Sequence, residues 1–364
     1  MHQTTQSRIP VGIIGATGTV GHQLIKRLEH HPWFKLSCVA ASSRSAGSRL
    51  GDVLNQRHGF TLQSTALADL ILLDAEQDIQ AVAASVRLVF SAVNLEKAAV
   101  KLLEEHYAEA GVAVVSNNSA HRWTEDVPMV IPEVNPEHLK LIEWQRQRRQ
   151  WERGLIAVKS NCSIQSYVPV LHAWQQFEPQ QVITATYQAV SGAGKTVAQW
   201  PEMQDNVIPL IGGEEDKSER EPLRVWGTLG KEGLVLPDTP KISATCVRVP
   251  VSNGHLAVTH VSFKKKPTRQ ALIDAIRGYN NPIADLNLPS APTPFLIYCD
   301  DEDRPQSKLD RHAGEGMAIS VGRLRADSVL DYKFVALSHN TLRGAAGGGV
   351  LLAELLCAKG YLRD

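Results

Sequence analysis

Between residues 9 and 21 the chain reads Ile9-Pro-Val-Gly-Ile-Ile14 and runs directly into Gly15-Ala-Thr-Gly18-Thr-Val-Gly21. A helical pattern follows, with Val20, Leu24, Ile25 and Leu28 on one face. A short, nearly continuous apolar run is the signature of a strand buried on both faces. A glycine turn between such a strand and a helix is the context of a dinucleotide site. Gly15 permits the tight turn, Gly18 lets backbone approach a pyrophosphate, and Gly21 lets helix and strand pack closely. Thr17, Thr19 and Val20 share that turn, and the pyrophosphate would rest on the helix N-terminus. The spacing is G-x-x-G-x-x-G, not the commoner G-x-G-x-x-G, so on the glycines alone a merely structural turn stays open.

A second strand, Leu36 to Ala41, ends in Ser42-Ser43-Arg44-Ser45-Ala-Gly47. An NAD-preferring site offers an acid here for the ribose hydroxyls, whereas an arginine accommodates a 2′-phosphate. This stretch has hydroxyls and Arg44, and no acid before Asp52, which argues for NADP. Further strands are expected at Leu70 to Leu73, Leu88 to Ser91 and Val112 to Val115, with a helix from about Glu96 to Ala110 between the last two. Such alternation reads as a parallel, doubly wound α/β sheet, which binds ligands beyond the C-terminal ends of its strands. Ser91 and Ala92 lie at one such end, and the segment Ser116 to Arg122 at another. Arg122 suits a phosphate or carboxylate, or is a plain surface arginine. Pro136 to Arg153 reads as charged helix.

The apolar run Leu155 to Val158 then gives way to Ser160-Asn161-Cys162-Ser163 and a helical pattern carrying Ile164, Val168, Leu171 and Trp174, with Pro169 expected to kink it. A helix N-terminus favours thiolate over thiol, so Cys162 is a candidate nucleophile; the plainer reading is a small buried apolar residue. Gln181 to Val190 alternates and ends in Ser191-Gly192, and Lys241 to Val251 alternates with Ala244, Cys246 and Arg248 on one face. Four more strands follow by Leu337, so the second half reads as an α+β domain on a largely antiparallel sheet. A thiol acting on a carbonyl needs a proton carrier, an orienting donor and charge complements. His255, Gln188, Arg248 and the cluster Glu214-Glu-Asp-Lys217 are the candidates.

At 364 residues the chain exceeds one ordinary core, which predicts two domains. Thirty-eight Lys plus Arg balance 38 Asp plus Glu, so no overall field draws the protein to nucleic acid or an anionic membrane. The five cysteines are widely spaced and lack any CxxC pair, which argues against a disulfide framework or a metal site and fits a reducing cytoplasm. Residues 1 to 8 lack the apolar core of a signal peptide, and no run reaches the ~20 apolar residues of a membrane span.

Taken together, the chain resembles the aspartate-semialdehyde dehydrogenases, specifically their archaeal and fungal branch. The resemblance runs nearly end to end through Gly15 to Gly21, Ser42 to Ser45, Ser160 to Ser163, Thr186-Tyr-Gln-Ala-Val-Ser-Gly192, Glu214 to Lys217, Arg248-Val-Pro-Val-Ser-Asn-Gly-His255 and Asn340-Thr-Leu-Arg-Gly-Ala-Ala346. It implies a Rossmann-like NADP(H) domain from 1–159 and 341–364, and a catalytic and dimerisation domain from 160–340. It implies that Cys162 attacks L-4-aspartyl phosphate, expels phosphate and forms a thioester that NADPH reduces to L-aspartate 4-semialdehyde. His255 would be acid and base, Gln188 would orient the acyl group, Arg248 would hold the α-carboxylate and Glu214 the α-ammonium. Lys217, Arg122 and Asn161 would take the phosphate; Ser191, Gly192 and Asn340 would lie by the cofactor; and a homodimer or homotetramer would form. Two departures stand out: Ile164 replaces the family's usual Thr, and Lys195 follows Gly192 in place of aromatic and proline residues. Malonyl-CoA reductase of the same branch and a catalytically silent NADP-binding subunit are the alternatives, with N-acetyl-glutamyl-phosphate reductase and a Cys–His hydrolase more distant.

Overall fold

The computed structural model describes residues 8–231 and 233–362, so the expectation for the first residues lies outside them apart from Arg8. Two compact units emerge: Met1–Met129 with Glu137–Lys159 and Gly349–Asp364, and Val130–Pro136 with Ser160–Gly348. Residues 341–348, which the resemblance implies for the cofactor domain, cluster with the second unit.

The first unit is built on β1 (Ile9–Ile14), β2 (Phe34–Ala41), β3 (Leu73–Asp74), β4 (Leu88–Ser91), β5 (Ala113–Ser116), β6 (Met129–Val130) and β7 (Leu155–Lys159). They order as β3-β2-β1-β4-β5-β7-β6, and the pairs from β3 to β7 are parallel. The chain moves outward from β1 to β2 and β3, then returns to the other side of β1 at β4. That reversal makes β1 and β4 the topological switch point, where such sheets bind ligands. The side chains of β4, β5 and β7 are buried throughout, as expected where both faces are covered. The helix Gly347–Ala358 supplies Val350, Leu351, Leu355 and Leu356 to the core, and its buried Glu354 accepts from His31 at 2.8 Å. Strand three begins at Leu73, later than the apolar run Leu70 to Leu73 predicts. Leu70 and Leu72 are instead tied to the Ser48–Leu50 backbone.

In the second unit β8 (Pro179–Ala189), β9 (Thr228–Leu229), β10 (Leu234–Val235), β11 (Lys241–Val249), β12 (His255–Phe263), β13 (Leu296–Cys299), β14 (Ile319–Ala326) and β15 (Tyr332–Ser338) follow in order. Six of them form the sheet β11-β8-β12-β15-β14-β13, while β9 and β10 pair as a separate hairpin. The pairs β8/β12, β12/β15 and β14/β15 are antiparallel, and β8/β11 and β13/β14 are parallel, so the sheet is mixed. Along β8 the buried face carries Val182, Thr184, Thr186 and Gln188, while Ile183 and Tyr187 are exposed. Thr184 and Thr259 satisfy one another across the covered face at 2.9 Å. Trp174 anchors the core on that side, its ring against Phe334 and its Nε1 donating to the Leu272 carbonyl at 3.0 Å.

Pro169 does not kink a helix. Residues 162–167 form successive turns, and the α-helix begins at Val168, which places Pro169 in its first turn. There the missing N–H would have no helical partner in any case. The 136–153 stretch likewise divides into a 3₁₀ turn, Pro136–Lys140, and the helix Leu141–Arg149.

Candidate active site

Register brings three candidates to one end of the strands β11, β8 and β12 of the second sheet. Gln188 pairs with Arg248 across the parallel β8 and β11, and β12 begins at His255, running antiparallel to β8. The C-terminal ends of β8 and β11 and the N-terminal end of β12 therefore coincide. All three side chains are buried.

His255 is fully enclosed. Its Nδ1 accepts the Ala189 N–H at 3.1 Å, so the neutral ring carries its proton on Nε2. Nε2 itself is buried without a hydrogen-bond partner. Burial first, and then the neighbouring Arg248 charge, push the imidazole down to about 3. Arg248 donates from Nη1 to the Ala189 carbonyl at 2.8 Å. Its guanidinium is drawn below its ordinary value by burial, against the opposing pull of Cys162 and Glu214. Gly192 lies over both groups: a Cβ there would stand 2.7 Å from Arg248 Nη1 and 3.1 Å from His255 Nε2. Only a glycine leaves those polar atoms room to face a ligand.

Cys162 is half-buried and in no disulfide. Since it opens a run of turns and not a helix, its surroundings are set by specific contacts more than by a helix dipole. The residue before it is held at both ends. The Asn161 N–H donates to buried Glu221 at 2.7 Å, and its Oδ1 accepts both the N–H and the hydroxyl of Ser163 at 2.7 Å. Asn161 Nδ2 donates to both oxygens of Glu214, at 3.1 and 3.0 Å. Gln188 Nε2 reaches Glu214 at 3.4 Å and Thr186 Oγ1 at 3.2 Å, and Lys217 Nζ closes on Glu214 at 2.6 Å. Burial raises the Glu214 carboxyl, but Lys217, Asn161 and Gln188 more than offset it, so the group is held below the usual carboxylate range. Asn161 and Lys217, expected on phosphate, thus both serve Glu214.

Asn340 also has a defined place. Its Oδ1 accepts the Gly254 N–H at 2.8 Å and its Nδ2 donates to Ser191 Oγ at 2.9 Å, which ties the turn before His255 to the segment after β8. Gly254 has φ +99, a value that glycine adopts without strain. Three features escape the sequence reading. Leu342–Ala346 is a π-helical turn, a form that concentrates at functional sites. Within it, Gly344 abuts Cys162. Arg343 is 1 % exposed and forks onto Glu133 at 2.5 and 2.6 Å, with Nε on Gln165 at 3.0 Å. Of the departures, Ile164 is simply core, and exposed Lys195 stacks on Trp200 at 4.3 Å.

In the first unit the helix α1 (Thr19–Leu28) has Gly18 as N-cap, with no side-chain cap and no acid in its first turn. Its leading N–H groups are therefore left for an anion. A Cβ on Gly15 would stand 2.5 Å from the Ala92 carbonyl, and one on Gly21 2.3 Å from the Gly15 carbonyl. At Gly18 the only neighbour within reach is the Gly15 carbonyl at 3.5 Å, so that face is open. Thr17 and Ser45 are buried, while Ser42, Ser43 and Arg44 are exposed. Ser91 Oγ accepts from Asn118 at 3.1 Å. Arg122 Nε donates to the Lys159 carbonyl at 3.1 Å within this unit. Among the described residues no group of three or more His, Cys, Asp or Glu could hold a metal ion, and no helix is long and apolar enough to cross a membrane.

Residues 10–142 match the family described as semialdehyde dehydrogenase, NAD binding domain, and residues 170–343 match semialdehyde dehydrogenase, dimerisation domain. An aspartate-semialdehyde dehydrogenase of Archaeoglobus fulgidus is 40% identical over 96% of this chain and 98% of its own length. The chain belongs to the aspartate-semialdehyde dehydrogenase family. The family member of Saccharomyces cerevisiae is 37% identical over 96% of this chain and 98% of its own. The solved structure of aspartate-semialdehyde dehydrogenase with NADP from Candida albicans superposes with a TM-score of 0.86 at 36% identity, covering 98% of this chain and 100% of that one. A Rossmann-like unit and a second unit with a mixed sheet are thus the architecture of an aspartate-semialdehyde dehydrogenase.

Proposed function

We propose that the protein reduces L-4-aspartyl phosphate to L-aspartate 4-semialdehyde with NADPH, through a thioester on Cys162. The observation that carries this reading is the buried Nε2–H of His255, unpartnered beneath Gly192, which has no side chain to fill the space over it. An isolated buried donor costs about 1 to 3 kcal/mol, so a ligand oxygen has to be its counterpart.

The glycine turn supports NADP(H): Gly18 is open, α1 is uncapped, and Ser42, Ser43 and Arg44 present hydroxyls and a cation where a 2′-phosphate would sit. When bound there, NADPH supplies a hydride. Thr17, Thr19, Val20 and Gly21 would line the pyrophosphate, and Ser91 and Ala92 stand at the strand end beside it.

Chemistry would begin with the Cys162 thiolate adding to the acyl carbonyl, its charge complemented by Arg248. The fork of Arg248 suits the substrate α-carboxylate. His255 Nε2–H would donate to the oxygen that gains charge. The Gln188 amide would orient the acyl group only by exchanging its long 3.4 Å contact with Glu214 for one to the substrate. The carbonyl re-forms as the C–O bond to phosphate breaks, and phosphate leaves as the anion and takes a proton from solvent. The hydride that bound NADPH would supply to the thioester would return charge to the oxygen held by His255, and loss of the C–S bond would release the aldehyde and restore the Cys162 thiolate. This role for His255 is narrower than acid–base exchange, because Nε2 already carries the proton and Nδ1 faces an N–H. Arg122 remains a proposed phosphate ligand. Homo-oligomerisation would cover the exposed Ile183 and Tyr187 face, in keeping with the dimerisation-domain match.

Phosphate-dependent reduction of NADP by the purified protein with L-aspartate semialdehyde, with NAD and no-phosphate controls, tests the reading. Turnover that needs phosphate is expected, and none from folded protein would overturn it. The Glu214–Lys217 contact favours one alternative, since a carboxylate already paired has less call for a substrate ammonium. Malonyl-CoA, which lacks that ammonium, is the matching second substrate to assay.

A further inference from the structure

In the first unit a second arginine, outside both the glycine turn and the serine turn, links the two. Arg57 lies in the last turn of α2 (Leu50–His58). Its Nη1 donates to Thr17 Oγ1 at 3.2 Å and its Nη2 to Ser45 Oγ at 3.1 Å. Thr17 follows β1 and Ser45 follows β2, and these are adjacent parallel strands. The guanidinium therefore bridges the mouth of the crevice where the adenosine end of a dinucleotide lies. Its neighbour His58 donates from Nε2 to the Thr17 carbonyl at 3.0 Å and stacks on His22 with centroids 4.8 Å apart, which fixes the end of the helix against the glycine turn.

Arg57 has hydroxyl partners but no carboxylate among the contacts of the described residues, in contrast to Arg49 on the same helix entry, which pairs with Asp69 and Asp52. Asp52, the first acid after β2, is thereby turned to Arg49. An exposed guanidinium bonded to Ser45, which closes the turn carrying Ser42, Ser43 and Arg44, is suited to a dianion. We infer that Arg57 is a specificity-determining residue that, with Arg44, forms a two-arginine clamp for the 2′-phosphate of NADP(H). The inference rests on the NADP reading above and names a ligand for it that the turn sequence Ser42 to Ser45 does not contain. Two hydroxyls hold the fork in place before the ligand arrives, so little side-chain freedom is lost on binding.

Calorimetric titration of the full-length protein with NADP, NAD, 2′,5′-ADP and 5′-AMP separates the possibilities. Arg57→Ala is expected to weaken NADP and 2′,5′-ADP about ten-fold or more while leaving NAD and 5′-AMP within about two-fold. Arg57→Lys keeps a charge at the helix end but not the fork, and is expected to recover only part of the loss. Equal weakening of all four ligands would show that Arg57 merely braces two loops, and no weakening would remove it from the site; either overturns the clamp. A wild-type protein that binds 2′,5′-ADP no better than 5′-AMP would instead overturn the NADP reading itself. Thermal unfolding of each variant identifies any loss of fold, and Arg57→Gln, which retains a donor, then replaces Arg57→Ala.

Discussion

Gly344 and Cys162 are in direct apposition: a Cβ on Gly344 would stand 2.6 Å from the Cys162 Cβ and 3.2 Å from its Cα. That approach is shorter than any real pair of carbons tolerates, so the π-helical turn is shaped around the cysteine. Gly344→Ala must displace the sulfur or the turn. A displacement of about 1 Å can cost on the order of 10²-fold in rate. We expect a loss of that size in kcat with NADP affinity unchanged. Wild-type kcat in Gly344→Ala would show that the contact is slack.

His255 offers a second test, because donor and acid–base roles part at one substitution. Glutamine can present an N–H near the place of Nε2, but it cannot exchange a proton near neutral pH. Loss of an oxyanion donor costs about 10²- to 10³-fold. His255→Gln should therefore retain at least about ten-fold more activity than His255→Ala. Equal loss in both variants would return proton exchange to the imidazole.

The same burial makes stability depend on pH. His255 is pushed down to about 3, and His22 and His172 to about 4, chiefly by burial. Unfolded histidine titrates near 6.5, so between there and the lowered values the unfolded chain binds more protons. Stability is then complete above about pH 6.5 and falls as pH drops toward 4. His255 alone accounts for about 1 kcal/mol of loss near pH 5.5. Urea unfolding at pH 7 and pH 5.5 should show the fall, with a shallower slope in His255→Gln; a flat profile would contradict the buried neutral rings.

Glu214 gathers Asn161, Gln188 and Lys217. Glu214→Gln removes the charge and leaves Lys217 unpaired beside the site. KM for L-aspartate semialdehyde should rise about ten-fold if the carboxylate also meets the substrate ammonium. Malonyl-CoA binding should not weaken in that variant, since that substrate has no such group. An unchanged KM for the semialdehyde would confine Glu214 to positioning Asn161.

On the open sheet face, Ile183 is 50% exposed and Tyr187 39%. An apolar strand face exposed opposite a polar buried one marks an association surface. Ile183→Asp should shift the mass measured by light scattering toward the monomer, with secondary structure retained. A wild-type protein that is already monomeric would remove this surface from consideration.

Much of this arrangement is local in the chain and so was legible in it. The strand, glycine turn and α1 are consecutive residues whose spacing states their geometry, and the alternation of β8 and β11 placed Gln188 and Arg248 on definite faces. The motif around Cys162 marked a candidate nucleophile, although it implied a helix where the chain makes turns. The contacts that tune the site join residues far apart in sequence, where no period or spacing links them. Asn161 meets Glu221 and Glu214, Arg343 meets Glu133, and Gly344 meets Cys162. Asn161 and Lys217 had donors suited to phosphate, and only packing gave those donors to Glu214. The tautomer of His255 likewise depends on the Ala189 N–H, which β12 reaches through its register with β8. Sequence determined which groups are present and which strand or turn holds each. Tertiary structure decided which lone pairs and protons are already spent and which remain for a ligand, because burial and hydrogen bonding are set by neighbours that the chain brings together only on folding.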